Sequence, residues 1–278
     1  MNQSIVFFGS GSYTIPIIEK LIPLGLDFVI TTEKSGPIND FCKTNNIQII
    51  SARSAKELTA ISSKLSAHSL GVLASYGAII PNEIINAFPY GIMNVHPSLL
   101  PKFKGPTPVP ATILSGETKT GVTIIKMDEM VDHGDILAVK EYALKGDENA
   151  RDLLESLFKI GAELIEDLII RIEKGEELEK TPQDHSQETW SEKLTRESGE
   201  IDIDNLKAIS YQLSAMTRAF YPWPGVWFKT KIKNKELRIK LLPNNIIQVE
   251  GKNPMSYKDF INGYESEGRE LLEKLNLL

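Results

Sequence analysis

The sequence predicts an α/β fold with a mainly parallel sheet, followed by a smaller C-terminal β domain. Over roughly the first 150 residues, short apolar segments alternate with segments of helical periodicity, which is the pattern of parallel strands joined by crossover helices. Beyond residue 225 the segments become short and alternating, as expected for a small barrel or sheet. The chain has 278 residues, 41% of them hydrophobic, which is enough for a core in each part.

Polar turns separate the predicted elements of the first part. The first strand, SIVFFGS at residues 4–10, ends in glycine and serine, and helical spacing then covers residues 14–25 and stops at Gly25. The other strands are short apolar segments, predicted at residues 27–32, 47–51, 70–76, 91–96, 120–128 and 135–144. The other helices have apolar residues spaced by three or four and are predicted at residues 38–46, 54–66, 82–88, 109–116 and 149–175.

The remainder of the chain changes character after the long helix. Residues 176–204 are polar and are predicted to form a linker or an extended arm over the surface. Helical spacing covers residues 205–220, and the segments VWFKTKI, ELRIKLL and IIQVEG then predict the strands of a small OB-like β-barrel. The predicted division is therefore a first domain at 1–175, a linker at 176–204 and a short C-terminal domain at 205–278.

Composition excludes several classes of protein. No run of about 18 apolar residues occurs, so no membrane span is expected. The N-terminal stretch MNQSIVFFGSGSY lacks the basic segment and cleavage site of a signal peptide. A single cysteine, Cys42, excludes an internal disulfide and a multi-cysteine metal site. These features predict a cytoplasmic protein.

The net charge of −6 is distributed unevenly along the chain. Residues 1–204 contain 19 Lys and Arg against 30 Asp and Glu, whereas residues 205–278 contain 12 against 7. The basic excess concentrates at Lys229, Lys231, Lys233, Lys235, Arg238 and Lys240. Such a cluster suggests an anionic partner such as nucleic acid, although lysines that protect an edge strand would produce the same pattern.

Three polar residues stand where an α/β sheet binds its ligands. Asn94 and His96 close a predicted strand, and alternation places both on one side of it. Asp132 follows the strand at residues 120–128, and in a parallel sheet the two strand ends would be neighbours at one rim. An amide, an imidazole and a carboxylate suit acyl transfer, because they can stabilise an oxyanion and move a proton. Each could instead be structural, such as a hydrogen-bonded histidine or a turn cap.

Other polar motifs in the sequence are less informative. The acidic residues Asp128, Glu129, Asp132 and Asp135 could form a solvated loop or a weak cation site. The segment GSGSYT at residues 9–14 imitates a dinucleotide-binding loop, but its third glycine is replaced by Thr14, so we expect no dinucleotide there. No special role is predicted for the remaining histidines, His68, His133 and His185.

Several segments together resemble the formyltetrahydrofolate-dependent formyltransferase family. They are FFGSGSYTIPIIEKL, LASYGAIIP, GIMNVHPSLLPKFKGPTPV, TGVTIIKMDEMVDHGDIL, TWSEKLTRESGEIDID, TRAFYPWPGVW and GKNPMSYKDFINGY. The most specific feature is Asn-x-His followed by Ser-Leu-Leu-Pro, with an aspartate before a glycine further along. The resemblance covers nearly the whole chain and implies a Rossmann-like sheet.

The resemblance also implies roles for individual residues. The family's catalytic trio falls on Asn94, His96 and Asp132. Its folate-binding positions fall on Ser98, Leu99, Leu100 and Pro101, on Tyr76, Gly77, Ile79 and Ile80, and on Asp128 and Val131. The implied cosubstrate is 10-formyltetrahydrofolate, without a metal, and a free amine would attack its formyl carbon directly through a tetrahedral intermediate.

The C-terminal segments resemble the part of the family that engages tRNA. The implied acceptor is therefore initiator methionyl-tRNA, held by the basic residues between Lys229 and Lys240. Two alternatives remain open, an enzyme that formylates a nucleotide-linked amino sugar and a tRNA-binding module without catalysis. One departure is clear, because the family's basic loop after the second strand is replaced here by the short segment TTEKSGPIND.

Overall fold

The computed structural model describes residues 4–204 and 212–278, which divide into two compact units. The first unit comprises residues up to 108 together with residues 119–143 and 154–191. The second comprises residues 109–118, 144–153 and the chain from residue 192 onward. Residues 176–191, which were predicted to form a linker or an extended arm, belong to the first unit. The predicted domain boundaries at residues 175 and 204 stay a prediction.

The first unit is built on one sheet. Its strands are β1 (Ile5–Gly9), β2 (Leu26–Thr31), β3 (Gln48–Ser51), β4 (Leu70–Ala74), β5 (Ile92–His96), β6 (Lys119–Lys126) and β7 (Ile136–Ala143). Within the described residues these seven strands follow the order β3-β2-β1-β4-β5-β6-β7. Strands β1 to β5 pair in parallel, and β6 and β7 are antiparallel additions at one side. The predicted mainly parallel α/β fold is confirmed.

The helices in this part of the chain follow the predicted segments closely. They are α1 (Ile15–Leu21), α2 (Pro37–Thr44), α3 (Ala55–Thr59), α4 (Ser62–Leu65), α5 (Asn82–Ile85), α6 (Pro108–Leu114) and α7 (Ala150–Glu173). The helix predicted at residues 54–66 is divided into α3 and α4. The Ser54 hydroxyl caps α3 by accepting a hydrogen bond from the Glu57 amide at 3.3 Å.

Packing of α7 on the sheet fixes the strand that carries the polar residues. A Cβ on Gly161 of α7 would overlap Cγ1 of Val95, which is buried in β5 between Asn94 and His96. The helix therefore approaches β5 as closely as a glycine allows.

Cys42 of α2 is fully buried, and burial raises the pKa of its thiol to about 11, so this cysteine is a core residue.

The second unit contains an antiparallel sheet of short strands. Its strands are β8 (Val226–Ile232), β9 (Lys235–Leu242), β10 (Ile246–Val249) and β11 (Met255–Ser256), in the order β11-β10-β9-β8. This sheet agrees with the predicted small C-terminal β domain. The helix predicted at residues 205–220 is described from residue 212, as α8 (Leu213–Ala219), and residues 205–211 of that prediction lie outside the described residues.

A C-terminal helix, α9 (Tyr257–Lys274), was not predicted. Its start has a recognisable signal, because the Ser256 hydroxyl accepts a hydrogen bond from the Asp259 amide at 3.1 Å. The helix is kinked at Glu265, whose backbone is non-helical. In the part of the chain that the structure describes, no helix has the length and apolar character needed to cross a membrane.

Two glycines in helices test the close packing of α7 on β5. We expect Gly161→Ala to lower the free energy of unfolding by about 1–2 kcal/mol, because a new methyl group must displace β-branched Val95. Gly263 of α9 has no atom within 4 Å of its Cβ position. Gly263→Ala is therefore expected to raise the free energy by about 0.5–1 kcal/mol through helix propensity alone. Denaturant unfolding measures both, and equal effects would contradict the packing argument.

Candidate active site

Strand β5 presents Asn94 and His96 on one face of the sheet, as alternation predicts. Both side chains are buried, with 7% of Asn94 and 4% of His96 exposed. Buried polar groups need hydrogen-bond partners, so the rest of the site is defined by what satisfies these two side chains.

Asp132 supplies the partner for both. Its Oδ1 accepts a hydrogen bond from Asn94 Nδ2 at 3.0 Å and lies 3.5 Å from His96 Nδ1. The three predicted residues therefore converge, but the reason given from sequence is wrong. Strand β6 runs antiparallel to β5, so its end lies at the opposite end of β5 from His96. Residues 127–135, here called the aspartate loop, turn back and bring Asp132 to the other two.

A second loop, residues 97–107 and here called the proline loop, completes the cluster. His96 Nε2 lies 3.0 Å from the Phe103 carbonyl oxygen, and the Gly105 amide donates to Asp132 Oδ2 at 2.8 Å. Phe103 and Asp132 have φ angles of 58° and 48°, in the left-handed region that non-glycine residues rarely adopt. Such conformations persist only where surrounding contacts hold them, and they are frequent in functional sites.

The predicted folate signature forms the first half of the proline loop. It comprises Ser98, Leu99, Leu100 and Pro101. The Ser98 hydroxyl donates to the Lys102 carbonyl at 2.7 Å, and the Leu100 amide donates to Thr123 Oγ1 at 3.1 Å. Ser98 and Leu100 are buried. In this structure these two residues stabilise the turn that follows His96, and contact with a ligand stays a prediction for all four.

The segment after β4 divides into core and surface residues. Tyr76 is buried, its hydroxyl donates to the Ala52 carbonyl at 2.6 Å, and burial raises the pKa of its phenol. Ile80 is also part of the core. Gly77 and Ile79 are exposed, and 78% of the Ile79 side chain is accessible to solvent. Gly77 and Ile79 are therefore the members of this predicted set that a ligand could reach directly.

The aspartate loop also exposes apolar side chains. Met130 and Val131 are 53% and 60% exposed. The side-chain amide of Asn82 donates a hydrogen bond to Glu129 Oε2 at 2.9 Å. This bond joins the aspartate loop to the segment that carries Ile79. Exposed apolar residues on two joined segments are typical of a binding surface for a flat, partly apolar molecule.

Residues 181–191, here called the strap, are a part of the site that the sequence did not reveal. The strap pairs with the start of β7, where Ile136 and Thr181 exchange two backbone hydrogen bonds of 2.8 and 2.9 Å. It also pairs with the proline loop, where the Lys104 amide donates to the Thr189 carbonyl at 2.8 Å. Its polar composition predicted a linker or an extended arm over the surface, but nothing local in the sequence shows which backbone groups it contacts.

Side chains add to the contacts between the strap and the two loops. The rings of His133 and His185 are stacked with centroids 3.9 Å apart, and His133 Nδ1 lies 2.6 Å from Asp128 Oδ2. Lys104 is 1% exposed, and its ammonium lies 2.6 Å from Glu188 and 3.1 Å from His185 Nδ1. The hydrogen bond from Lys104 lowers the pKa of Glu188. His133 and His185 thus have structural partners that the sequence did not indicate.

An open pocket of about 340 Å³ lies between the aspartate loop and the strap. It is lined by Lys126, Met127, Asp128, His133, Gly134, Asp135, Lys180, Pro182, Gln183 and His185. Of the residues predicted to bind folate, this pocket contains Asp128. Among the residues that the structure describes, no cluster of three or more His, Cys, Asp or Glu side chains is arranged to hold a metal ion.

The second unit has its own candidate site on the hairpin of β8 and β9. Strand alternation and register place four of the six predicted basic residues on one face, here called the basic face. They are Lys229, Lys231, Arg238 and Lys240. The opposite face of the hairpin is apolar and buried. Lys233 and Lys235 lie instead at the hairpin turn.

Like charges are neighbours on the basic face. Lys229 stands directly opposite Arg238 in the register, and such pairs are unfavourable without an anion between them. Arg238 lies over the ring of Trp227, 4.7 Å from its centroid, and 3.9 Å from a carboxylate oxygen of Glu250. Glu236 also lies on this face, directly opposite Lys231, so the four basic side chains have acidic neighbours.

Comparison with known proteins agrees with the fold and with the sequence motifs. A methionyl-tRNA formyltransferase from Chloroflexus aurantiacus is 36% identical over 249 residues, which cover 84% of this chain and 78% of that protein. The enzyme of the same name from Koribacter versatilis is 29% identical over 98% of this chain and 99% of its own length.

Solved structures share the fold at lower identity. A 4-N formyltransferase from Francisella tularensis superposes with a TM-score of 0.68 at 20% identity, covering 87% of this chain and 98% of that one. Glycinamide ribonucleotide transformylase 1 from Symbiobacterium toebii superposes with a TM-score of 0.56 at 22% identity, covering 66% of this chain and 94% of that one. The formyl transferase family model matches residues 29–169. On these matches and the motifs that carry them, the chain belongs to the formyl transferase family.

Proposed function

We propose that the chain transfers the formyl group of 10-formyltetrahydrofolate to the free amine of initiator methionyl-tRNA. The observation that carries this proposal is the convergence of Asn94 and His96 on Asp132, whose Oδ1 lies 3.0 Å from the Asn94 amide nitrogen and 3.5 Å from His96 Nδ1. A module that only binds tRNA has no need of this arrangement. Relatives of similar length that are named for this acceptor support the choice of methionyl-tRNA.

The surface beside the trio has the chemistry that a reduced pterin requires. Exposed Ile79 and Val131 offer apolar contacts to a flat ring, and the aspartate loop offers backbone groups to its polar edge. Asp128 is held by His133 and by the Met130 amide, which donates to Oδ1 at 3.0 Å. When bound, the folate supplies an activated formyl carbon as the electrophile.

Asn94 is placed to stabilise negative charge on the formyl oxygen during attack. Its amide nitrogen carries two N–H donors, and one of them is directed at Asp132. We assign the second to the formyl oxygen. A preorganised donor of this kind is worth about 3–4 kcal/mol in a buried site, because it needs no reorganisation as charge develops.

His96 and Asp132 are placed to receive and pass on the amine proton. The Phe103 carbonyl can only accept, so His96 Nε2 carries a proton and Nδ1 faces Asp132. The Gly105 amide fixes the other carboxylate oxygen. The Asp132 carboxylate therefore has one defined orientation, in which it can take the proton that the attacking amine loses. Together with His96, it would return a proton to the folate nitrogen when the bond between that nitrogen and the formyl carbon breaks and tetrahydrofolate leaves.

The basic face suits the phosphate backbone of the tRNA acceptor. Lys229, Lys231, Arg238 and Lys240 share one side of a hairpin, where Lys229 stands opposite Arg238 and Lys231 stands opposite Glu236. Non-specific phosphate contacts of this type contribute affinity and salt dependence, whereas the trio determines the chemistry. Since the proposed acceptor is a substrate of translation, the expected compartment is the cytoplasm.

The catalytic assignment is tested by His96→Ala and Asp132→Asn. We expect each to lower kcat for formyl transfer by about 10²- to 10⁴-fold, because each removes a group that moves the proton. A matched control exists in the same unit, where His68 Nε2 lies 2.7 Å from Asp27 Oδ2. Asp27→Asn changes a similar pair away from the trio and is expected to leave kcat unchanged. Near-normal turnover by either site variant would remove the assigned role.

The acceptor is identified by offering the two candidate substrates separately. The wild-type enzyme is supplied with 10-formyltetrahydrofolate and either methionyl-tRNA or an amino-sugar nucleotide, and the formylated product is measured. We expect formylmethionyl-tRNA to be the product. Formylation of the amino sugar alone would overturn the proposed function and favour the amino-sugar nucleotide as the acceptor. The short segment after β2 would then explain why tRNA is not the acceptor.

The basic face is tested by charge reversal. We expect Lys229→Glu with Lys231→Glu to weaken tRNA binding and to reduce the slope of log K against log salt by about 0.7–0.9 for each phosphate that is no longer neutralised. The control is Lys258→Glu with Arg269→Glu, which makes the same change in net charge on exposed positions of α9. Equal effects of the two double variants would show that net charge, and not this face, is responsible.

A further inference from the structure

We propose that the strap positions the catalytic trio, with Gln183 and Thr189 as its positioning residues. The inference rests on the proposed function for its kinetic consequence, but its structural consequence can be measured without any substrate. The strap is joined to both loops that complete the site, the aspartate loop and the proline loop. It is thus a functional part of the first unit and not a passive connection.

Gln183 holds the aspartate loop. Its Nε2 donates to the Asp132 carbonyl at 3.1 Å and to the Gly134 carbonyl at 2.8 Å, so one amide group spans the turn that begins at the catalytic aspartate. Gln183 is 7% exposed, which shields both hydrogen bonds from competition by water. The two bonds fix the backbone of Asp132 in its left-handed conformation and so fix the direction of its carboxylate.

Gly134 shows how little freedom this turn has. A Cβ at this position would overlap the Lys126 carbonyl oxygen, so the loop returns against its own entry strand. The Lys126 amide donates to the Asp135 carbonyl at 2.9 Å and closes the base of the loop. Because its base is closed and its turn is held by Gln183, the aspartate loop is constrained to place Asp132 beside β5.

Thr189 holds the proline loop in the same manner. The Phe103 amide donates to Thr189 Oγ1 at 2.9 Å, and the next amide, that of Lys104, donates to the Thr189 carbonyl at 2.8 Å. The carbonyl of Phe103 is the group that contacts His96 Nε2. Fixing the left-handed Phe103 therefore fixes the partner that sets the orientation and tautomer of the imidazole.

The strap is itself anchored firmly enough for this role. Ser191 donates to the Lys104 carbonyl through its amide at 2.7 Å and through its hydroxyl at 2.9 Å. Its hydroxyl also accepts from the Thr107 amide at 3.0 Å. The buried Lys104 ammonium pairs with Glu188 at 2.6 Å, so the two segments are joined by main chain and by charge.

The decisive variant is Gln183→Leu, which keeps the approximate volume and removes both donors. We expect kcat for formyl transfer to fall by about 10- to 100-fold with KM for both substrates nearly unchanged, because catalytic geometry is impaired and not ground-state binding. We also expect faster hydrogen–deuterium exchange in peptides that cover residues 127–135. The matched control is Gln187→Leu, since Gln187 is an exposed amide of the same strap that donates to Asp184. It should change neither quantity.

A second variant keeps the proposal testable if Gln183→Leu does not fold. Thr189→Val is nearly isosteric and removes the acceptor of the Phe103 amide, so kcat should fall while exchange rises in peptides covering residues 97–107. Ser186→Ala is its control, because the Ser186 hydroxyl donates to Asp184 within the strap itself.

The outcomes separate the two proposals. A wild-type enzyme that formylates neither acceptor would overturn the proposed function, and the exchange measurements would still decide whether the strap holds the loops. Unchanged exchange in both strap variants would overturn the inference. Faster exchange with unchanged kcat, or a rise in KM alone, would also overturn it, because the strap would then serve stability or binding and not catalytic geometry.

Discussion

The site depends on the hydrogen bonds that the Asp132 carboxylate accepts. This carboxylate accepts hydrogen bonds from Asn94 and from the Gly105 amide and lies beside His96, and these partners come from β5 and from the proline loop. None of these groups can be left unpaired in a buried site without a large cost. These hydrogen bonds join β5, the aspartate loop and the proline loop, and Gln183 and Thr189 of the strap contact the same two loops.

The change from parallel to antiparallel pairing explains why such support is needed. Strands β1 to β5 end at one edge of the sheet, where ligands bind in folds of this type. Strand β6 runs the other way, so a residue that follows it reaches that edge only through a loop that doubles back. The aspartate loop does this with a left-handed Asp132, a conformation that is unfavourable for a non-glycine residue, and with Gly134, where a side chain would overlap the Lys126 carbonyl oxygen.

Much of the fold was predictable from local sequence. Periodicity identified the strands of both sheets except β11, because a buried face imposes a period of two on a strand and close to four on a helix. The same rule placed Asn94 and His96 on one side of β5. Helix α9 was missed, although Ser256 and Asp259 at its start form a capping signal that is present in the sequence.

By itself, the sequence determined the fold class and the family, because these depend on patterns within short segments, and it predicted Asn94, His96 and Asp132 as the residues that converge. The tertiary structure decided how Asp132 meets β5, which of the predicted folate residues are exposed, and that the polar strap belongs to the site. The convergence on Asp132 and the placement of the strap depend on hydrogen bonds between backbone groups and side chains that are 27 to 87 positions apart. Backbone amides and carbonyls are the same in every residue, so the sequence has no local signal for which of them will pair.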